Sequence, residues 1–136
     1  MIWLDTNVVI ELLNRRLPKV RQRFDDAARA GTAIKVSSIV YHELMYGAAV
    51  SDRRRQGEDK IALLLSAGGI EVVPWDADDG AEAADIRADL KRQGKPIGPF
   101  DVLIAGQVRR SRCALVTANV RELDRVTGLT VIDWSV

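Results

Sequence analysis

Cysteine is almost missing from the 136 residues, with Cys113 the only one. A single thiol cannot close an internal disulfide, so the fold requires no oxidising compartment. Within the apolar run CALVT it reads as a small core residue rather than a reactive thiol. Histidine is as scarce. His42 stands alone beside Glu43 in a helical stretch, where adjacent side chains point apart, so it is expected on the surface. A Ser–His–Asp or Cys–His device is therefore not expected. There is no excess of one charge: 20 Lys and Arg face 19 Asp and Glu, for a net +1. Such a balance announces neither a broad nucleic-acid surface nor a membrane surface. No window approaches the roughly 20 apolar residues that cross a bilayer. The first segment, MIWLDTNVVIELL, is interrupted by Asp5, Asn7 and Glu11 and has no basic start, unlike a secretory signal. A cytoplasmic protein is the expectation. Also lacking are the Gly-x-x-x-x-Gly-Lys phosphate loop, the Gly-x-Gly-x-x-Gly fingerprint and an Asp-x-Asp pair after the first strand.

What is present is ordinary in bulk, at 47% hydrophobic and 29% charged, and its length fits one domain over residues 1–136. Short β-type runs alternate with longer helical patterns. MIWL, AIKVSS, IEVVPW, CALVT and LTVIDW read as five strands. Helices are predicted over about 6–14, 18–30, from Ser37 or Ser38 to a stop near Gly47, over 52–67, 77–93, 100–110 and a short one near 120–125. Continuous apolar strands separated by helices imply a three-layer α/β/α sandwich around a mainly parallel five-stranded sheet. In such sheets ligands bind beyond the carboxyl ends of the strands, so the residues just after each strand carry the functional argument.

Those residues are acidic. Asp5 follows the first strand, and its ordinary structural role is a helix N-cap. Glu43 follows the second. Ile39, Val40, Tyr46 and Gly47 are its same-face neighbours, a largely apolar stripe that calls for a partner, either an arginine or a cation. Asp101 falls in the first turn of the helix begun by GKPIGPF, where the helix dipole alone would favour it. Thr117 and Asn119 end the fourth strand, with Glu122 and Asp124 nearby, and Asn119 can also serve as a cap. Three carboxylates gathered at one edge cannot stay ionised without a counter-charge. A hard divalent ion, Mg²⁺ or Mn²⁺, supplies it through oxygen ligands and can activate water for in-line phosphoryl displacement.

Four ordered segments, LDTNVVIELL, SSIVYHELMYGA, GKPIGPFDVLIAG and LVTANVRELDRVTGLTVIDW, give the chain a resemblance to the PIN-domain family, and within it to VapC-type toxins of toxin–antitoxin pairs. The resemblance spans nearly the whole chain. It implies a Mg²⁺- or Mn²⁺-dependent endoribonuclease with Asp5, Glu43, Asp101 and Asn119 at the catalytic end. Asp5 and Asp101 are the implied direct ligands, Glu43 completes the cluster, and Thr6, Ser38 and Thr117 are implied supporting hydroxyls. Many relatives have an aspartate where this chain has Asn119, which removes a charge and leaves Glu122 or Asp124 as possible substitutes. Leu123 stands where many have phenylalanine.

An RNA substrate would need local basic patches. Leu12 to Phe24 holds Arg15, Arg16, Lys19, Arg21 and Arg23 with no acid, and further clusters lie at Arg53–Arg55 and Arg109–Arg112. Arg15, Arg16, Arg53 and Arg54 are the candidate RNA contacts, against the alternative of solvated helix faces. Arg109 and Arg110 lie about 12–14 Å along the helix from Asp101, far from a reacting phosphate. The resemblance further implies a homodimer and an antitoxin partner, with Tyr41, Leu44, Met45 and Tyr46 the candidate contacts. The competing reading is a non-catalytic α/β interaction module or a receiver-like signalling domain, kept open by Asp76 in PWDADD after the third strand.

Overall fold

The computed structural model describes residues Met1–Val136. The chain runs β1 (Ile2–Leu4), α1 (Thr6–Asn14), α2 (Pro18–Arg29), β2 (Ile34–Ser37), α3 (Ser38–Ala49), α4 (Arg54–Ala67), β3 (Ile70–Val73), α5 (Ala77–Arg92), α6 (Pro99–Ser111), β4 (Ala114–Val116), α7 (Val120–Leu123) and β5 (Thr130–Ile132). All four strand pairings are parallel, in the order β3-β2-β1-β4-β5. A receiver of the flavodoxin type has the order 2-1-3-4-5, so the receiver-like reading is overturned by the pairing itself. Asp76 is accounted for as well: it caps α5 in a reciprocal capping box with Asp79.

Chain direction places the helices. From β1 the sheet grows outward through β2 and β3, then returns to β4 on the other side of β1. Right-handed crossovers put α1–α4 on one face and α5–α6 on the other. Packing agrees: α1, α3 and α4 contact one another, and α5 lies along α6. Leu4, Val36, Leu115 and Val116 are fully buried in the middle layer, as strands covered on both faces must be. Reversal of strand order between β1 and β4 creates the switch point where open α/β sheets place their sites.

One predicted boundary moves. α3 does not stop near Gly47 but runs through it to Ala49. A mid-helix glycine costs about 1 kcal/mol, and burial of Leu44 and Ala48 on either side of it offsets that. Ser37, rather than Ser38, caps the helix, its Oγ accepting from the Ile39 N–H at 3.0 Å. No helix is long and apolar enough to cross a membrane.

Candidate metal centre at the carboxyl edge of the sheet

Asp5 is where β1 ends and α1 begins. Its backbone N–H still belongs to the sheet, donating to the Val116 carbonyl at 2.9 Å. Its side chain already belongs to the helix, with Oδ1 accepting from the Thr6 N–H at 2.9 Å. The residue is only 2% exposed. Oδ2 is held from the neighbouring strand end by the Thr117 hydroxyl, which donates at 2.7 Å. Thr117 in turn accepts from the Asn119 N–H at 3.0 Å, so β4's terminus is folded around the β1 carboxylate.

Three further carboxylates border it. Thr6 Oγ1 donates to Glu43 Oε1 at 2.6 Å, tying α3 to the start of α1. Asp101 sits in the first turn of α6. Asn119 Nδ2 donates both to Asp101 Oδ2 at 3.2 Å and to Glu122 Oε2 at 3.0 Å. Burial pushes the Asp5 carboxyl above the ordinary carboxylate range, and the nearby Glu43 charge adds to this, against its hydrogen bonds. Burial likewise raises Asp101, with Asp5 and then Glu122 as repelling charges. None of Asp5, Glu43, Asp101 and Glu122 joins an ion pair with Lys or Arg. The arginine alternative for Glu43 is thereby removed.

The donor set fits a hard divalent cation. Every available ligand atom is oxygen, and the repelling charges lack a protein counter-ion. No three acidic, histidine or cysteine side chains converge on one point as a ready cage.

The other expected residues are distributed unevenly. Ser38 Oγ accepts from the Trp75 N–H at 3.0 Å and has no bond to the acidic group; it anchors the segment after β3. Asp124 is exposed and apart, so Glu122 is the acid that joins the edge. Arg15 and Arg16 lie past the end of α1, about 14 Å along that helix from Thr6. Arg54 reaches its own helix neighbour Glu58 at 3.7 Å. Arg53 alone of the four lines a groove beside Glu43. Arg109 and Arg110 are ion-paired across the helix pair, Arg109 with Glu82 at 2.8 Å and Arg110 with Asp79 at 3.1 Å. His42 is exposed as expected, packed edgewise to Phe100 with centroids 6.0 Å apart. Leu44 is core, whereas Tyr46 is 62% exposed.

Asn7 joins the site without having stood out in the sequence. Its Nδ2 donates to Asp5 Oδ2 at 3.4 Å and to Thr117 Oγ1 at 3.3 Å, while its Oδ1 accepts from the Ala118 N–H at 3.0 Å. The one local signal is an amide two residues after the buried acid, on the turn of α1 that must face β4.

A PIN domain family model matches residues 2–129. The chain is 38% identical over 133 residues to the tRNA(fMet)-specific endonuclease VapC of Shigella flexneri, covering 97% of this chain and 96% of that protein. It is 35% identical over 131 residues to ribonuclease VapC2 of Haemophilus influenzae, with 96% of each covered. Among solved structures, VapBC2 of Rickettsia felis bound to a promoter DNA fragment superposes with a TM-score of 0.90 at 30% identity, over 98% of this chain and 99% of that one. DNA-bound VapBC of Salmonella typhimurium gives 0.88 at 32% identity, over 98% and 97%. Fold, acidic sheet edge and full-length likeness agree, and the chain belongs to the PIN-domain family, among the VapC ribonucleases of toxin–antitoxin pairs.

Proposed function

We propose that this protein is an endoribonuclease toxin whose RNA hydrolysis depends on Mg²⁺ or Mn²⁺ held by Asp5, Asp101 and Glu43. The observation that carries the reading is the gathering of carboxylates without a protein cation, where burial and mutual repulsion raise Asp5 and Asp101. When bound, the ion supplies Lewis acidity that makes water a nucleophile near neutral pH and offsets the charge of the phosphodiester.

The chain's own residues do the rest. Thr6 N–H and Thr117 Oγ1 lock the two oxygens of Asp5 in place, so its lone pairs need no reorganisation. Asn119 spaces Asp101 from Glu122, replacing the fourth charge of many relatives with a neutral amide that holds two acids at once. Glu43 Oε1 is occupied by Thr6, which fixes the carboxylate and leaves its other oxygen to complete the acidic cluster. In-line attack then forms a new P–O bond as the bond from phosphorus to the ribose oxygen breaks; the water's proton passes to solvent and the leaving oxygen takes one up.

A cognate antitoxin would silence the site by covering this acidic edge. A second copy of the chain would pack against the exposed stripe of His42, Tyr46 and Val50 beside Phe100. Initiator tRNA is the first substrate to try, because the Shigella relative carries that specificity in its name. Wild type and Asp5→Asn would be assayed side by side on that tRNA, with Mg²⁺, Mn²⁺ or EDTA. Metal-dependent cleavage by the wild type alone is expected. Equal cleavage by the variant, or indifference to EDTA, would overturn the metal mechanism.

A further inference from the structure

A groove of about 400 Å³ starts at Glu43 and runs between α1, α3 and α4. Its lining is chemically mixed. Glu43 supplies an acid. Leu13, Leu44, Ala48 and Ile61 contribute an apolar floor, Asn14 and Gln56 contribute side-chain amides, and Arg53 and Lys60 add two cations. Neither cation takes part in any of the molecule's ion pairs. From Glu43 to Ser51, which also lines the groove, the chain advances about 12 Å at helical rise.

Resting on the ribonuclease reading above, we propose that this groove is the subsite for one nucleotide flanking the cleaved phosphate. A polynucleotide alternates anionic phosphates with flat, largely apolar bases. The acidic edge takes the scissile phosphate through its cation. The next base lies on the aliphatic floor, where its unpaired edge meets amides that can donate and accept together. The following phosphate meets Arg53 and Lys60, two cations without protein partners. One groove thus holds an acid bordering the metal centre, an apolar floor, amides and two cations free of ion pairs, a partner for each part of that alternation.

Gly47 provides a test that spares the core. It lines the groove, and a Cβ added there meets nothing within 4 Å, so a leucine projects into the nucleotide's space. It also removes a mid-helix glycine, so the fold is not weakened. Binding of a fluorescein-labelled, mixed-sequence single-stranded oligoribonucleotide would be followed by anisotropy in the Asp5→Asn background, where no cleavage intervenes. Adding Gly47→Leu is expected to weaken binding about tenfold or more. Replacing Arg53 and Lys60 by alanine is expected to flatten the log–log salt dependence by about 0.7 for each phosphate left without its cation. Cleavage of the same pool, with product sequencing, is expected to show a base preference at one position beside the cut that Asn14→Ala with Gln56→Ala erases.

Unchanged binding with Gly47→Leu overturns the subsite, as does a base preference unchanged by the amide variants. Loss of affinity for the antitoxin with RNA affinity intact also overturns it and assigns the groove to the protein partner. Groove-dependent binding by a wild type that never cleaves upholds the subsite and sinks the nuclease reading instead, so the two failures are distinguishable.

Discussion

Asp5 performs two jobs with opposite energetic signs. As N-cap of α1 it satisfies a helix donor, which favours folding. As a buried carboxylate beside Glu43 it is a charge in the wrong medium. The second effect wins, since burial raises its pKa despite three helpful hydrogen bonds. A carboxyl raised in the folded state contributes stability below its unfolded pKa and loses it as pH climbs through the folded value. In EDTA, wild type should therefore be less stable than Asp5→Asn near pH 8, and the gap in Tm should narrow as pH falls and close only near the ordinary carboxylate pKa of about 4. Thermal melts by circular dichroism across that range decide it, and a more stable wild type at pH 8 contradicts the account. Arg112 shows a different kind of residue-scale cost. It ends α6 at φ 58°, a left-handed conformation that a side chain disfavours, and Arg112→Gly should stabilise by about 1 kcal/mol in urea unfolding.

At the scale of elements, α5 and α6 form the tightest helix pair. A Cβ on Gly106 would come within 2.7 Å of the Ala83 Cβ and 2.8 Å of its backbone, so the two helices meet through a glycine. Gly106→Ala must push them apart and should cost about 1–3 kcal/mol, read from the urea midpoint. The same pair is clamped at its end by Arg110 on Asp76, Asp78 and Asp79. Asp76 is held below the ordinary carboxylate pKa, first by the Asp79 backbone N–H and also by Arg110. Its stabilisation is present above the unfolded pKa and disappears as pH falls through the depressed folded one. Asp76→Ala should lower Tm at pH 7, with the difference from wild type vanishing toward pH 2. Element positions are largely legible in the sequence, because apolar period and caps are local signals. The expected stop at Gly47 fails for a physical reason: glycine's local penalty is small, and packing of Leu44 and Ala48 exceeds it.

On the scale of the whole molecule, a net charge of +1 conceals a strong separation. Acids collect at the carboxyl edge of the sheet, while Arg53 and Lys60 line the adjoining groove. A ligand that binds only the folded state stabilises it by mass action. Mg²⁺ at a hundred times its dissociation constant should add about 2.7 kcal/mol to wild type and much less to Asp5→Asn, as measured by the shift in unfolding midpoint. Equal shifts would remove Asp5 from the metal centre.

By itself the sequence determined the alternation of strands and helices, and with it the parallel sheet and the row of polar residues after each strand. These follow from short-range hydrophobic period and from the need to cover both faces of a parallel sheet. Tertiary structure alone decided the order β3-β2-β1-β4-β5, which excluded a receiver. It also chose between equivalent chemistries: Thr117 reaches Asp5 across 112 positions while Ser38 turns to Trp75, and Glu122 meets Asn119 while Asp124 faces solvent. Whether a hydroxyl or carboxylate serves a site depends on a few ångströms between distant segments, and strand pairing, not local residue pattern, sets those ångströms.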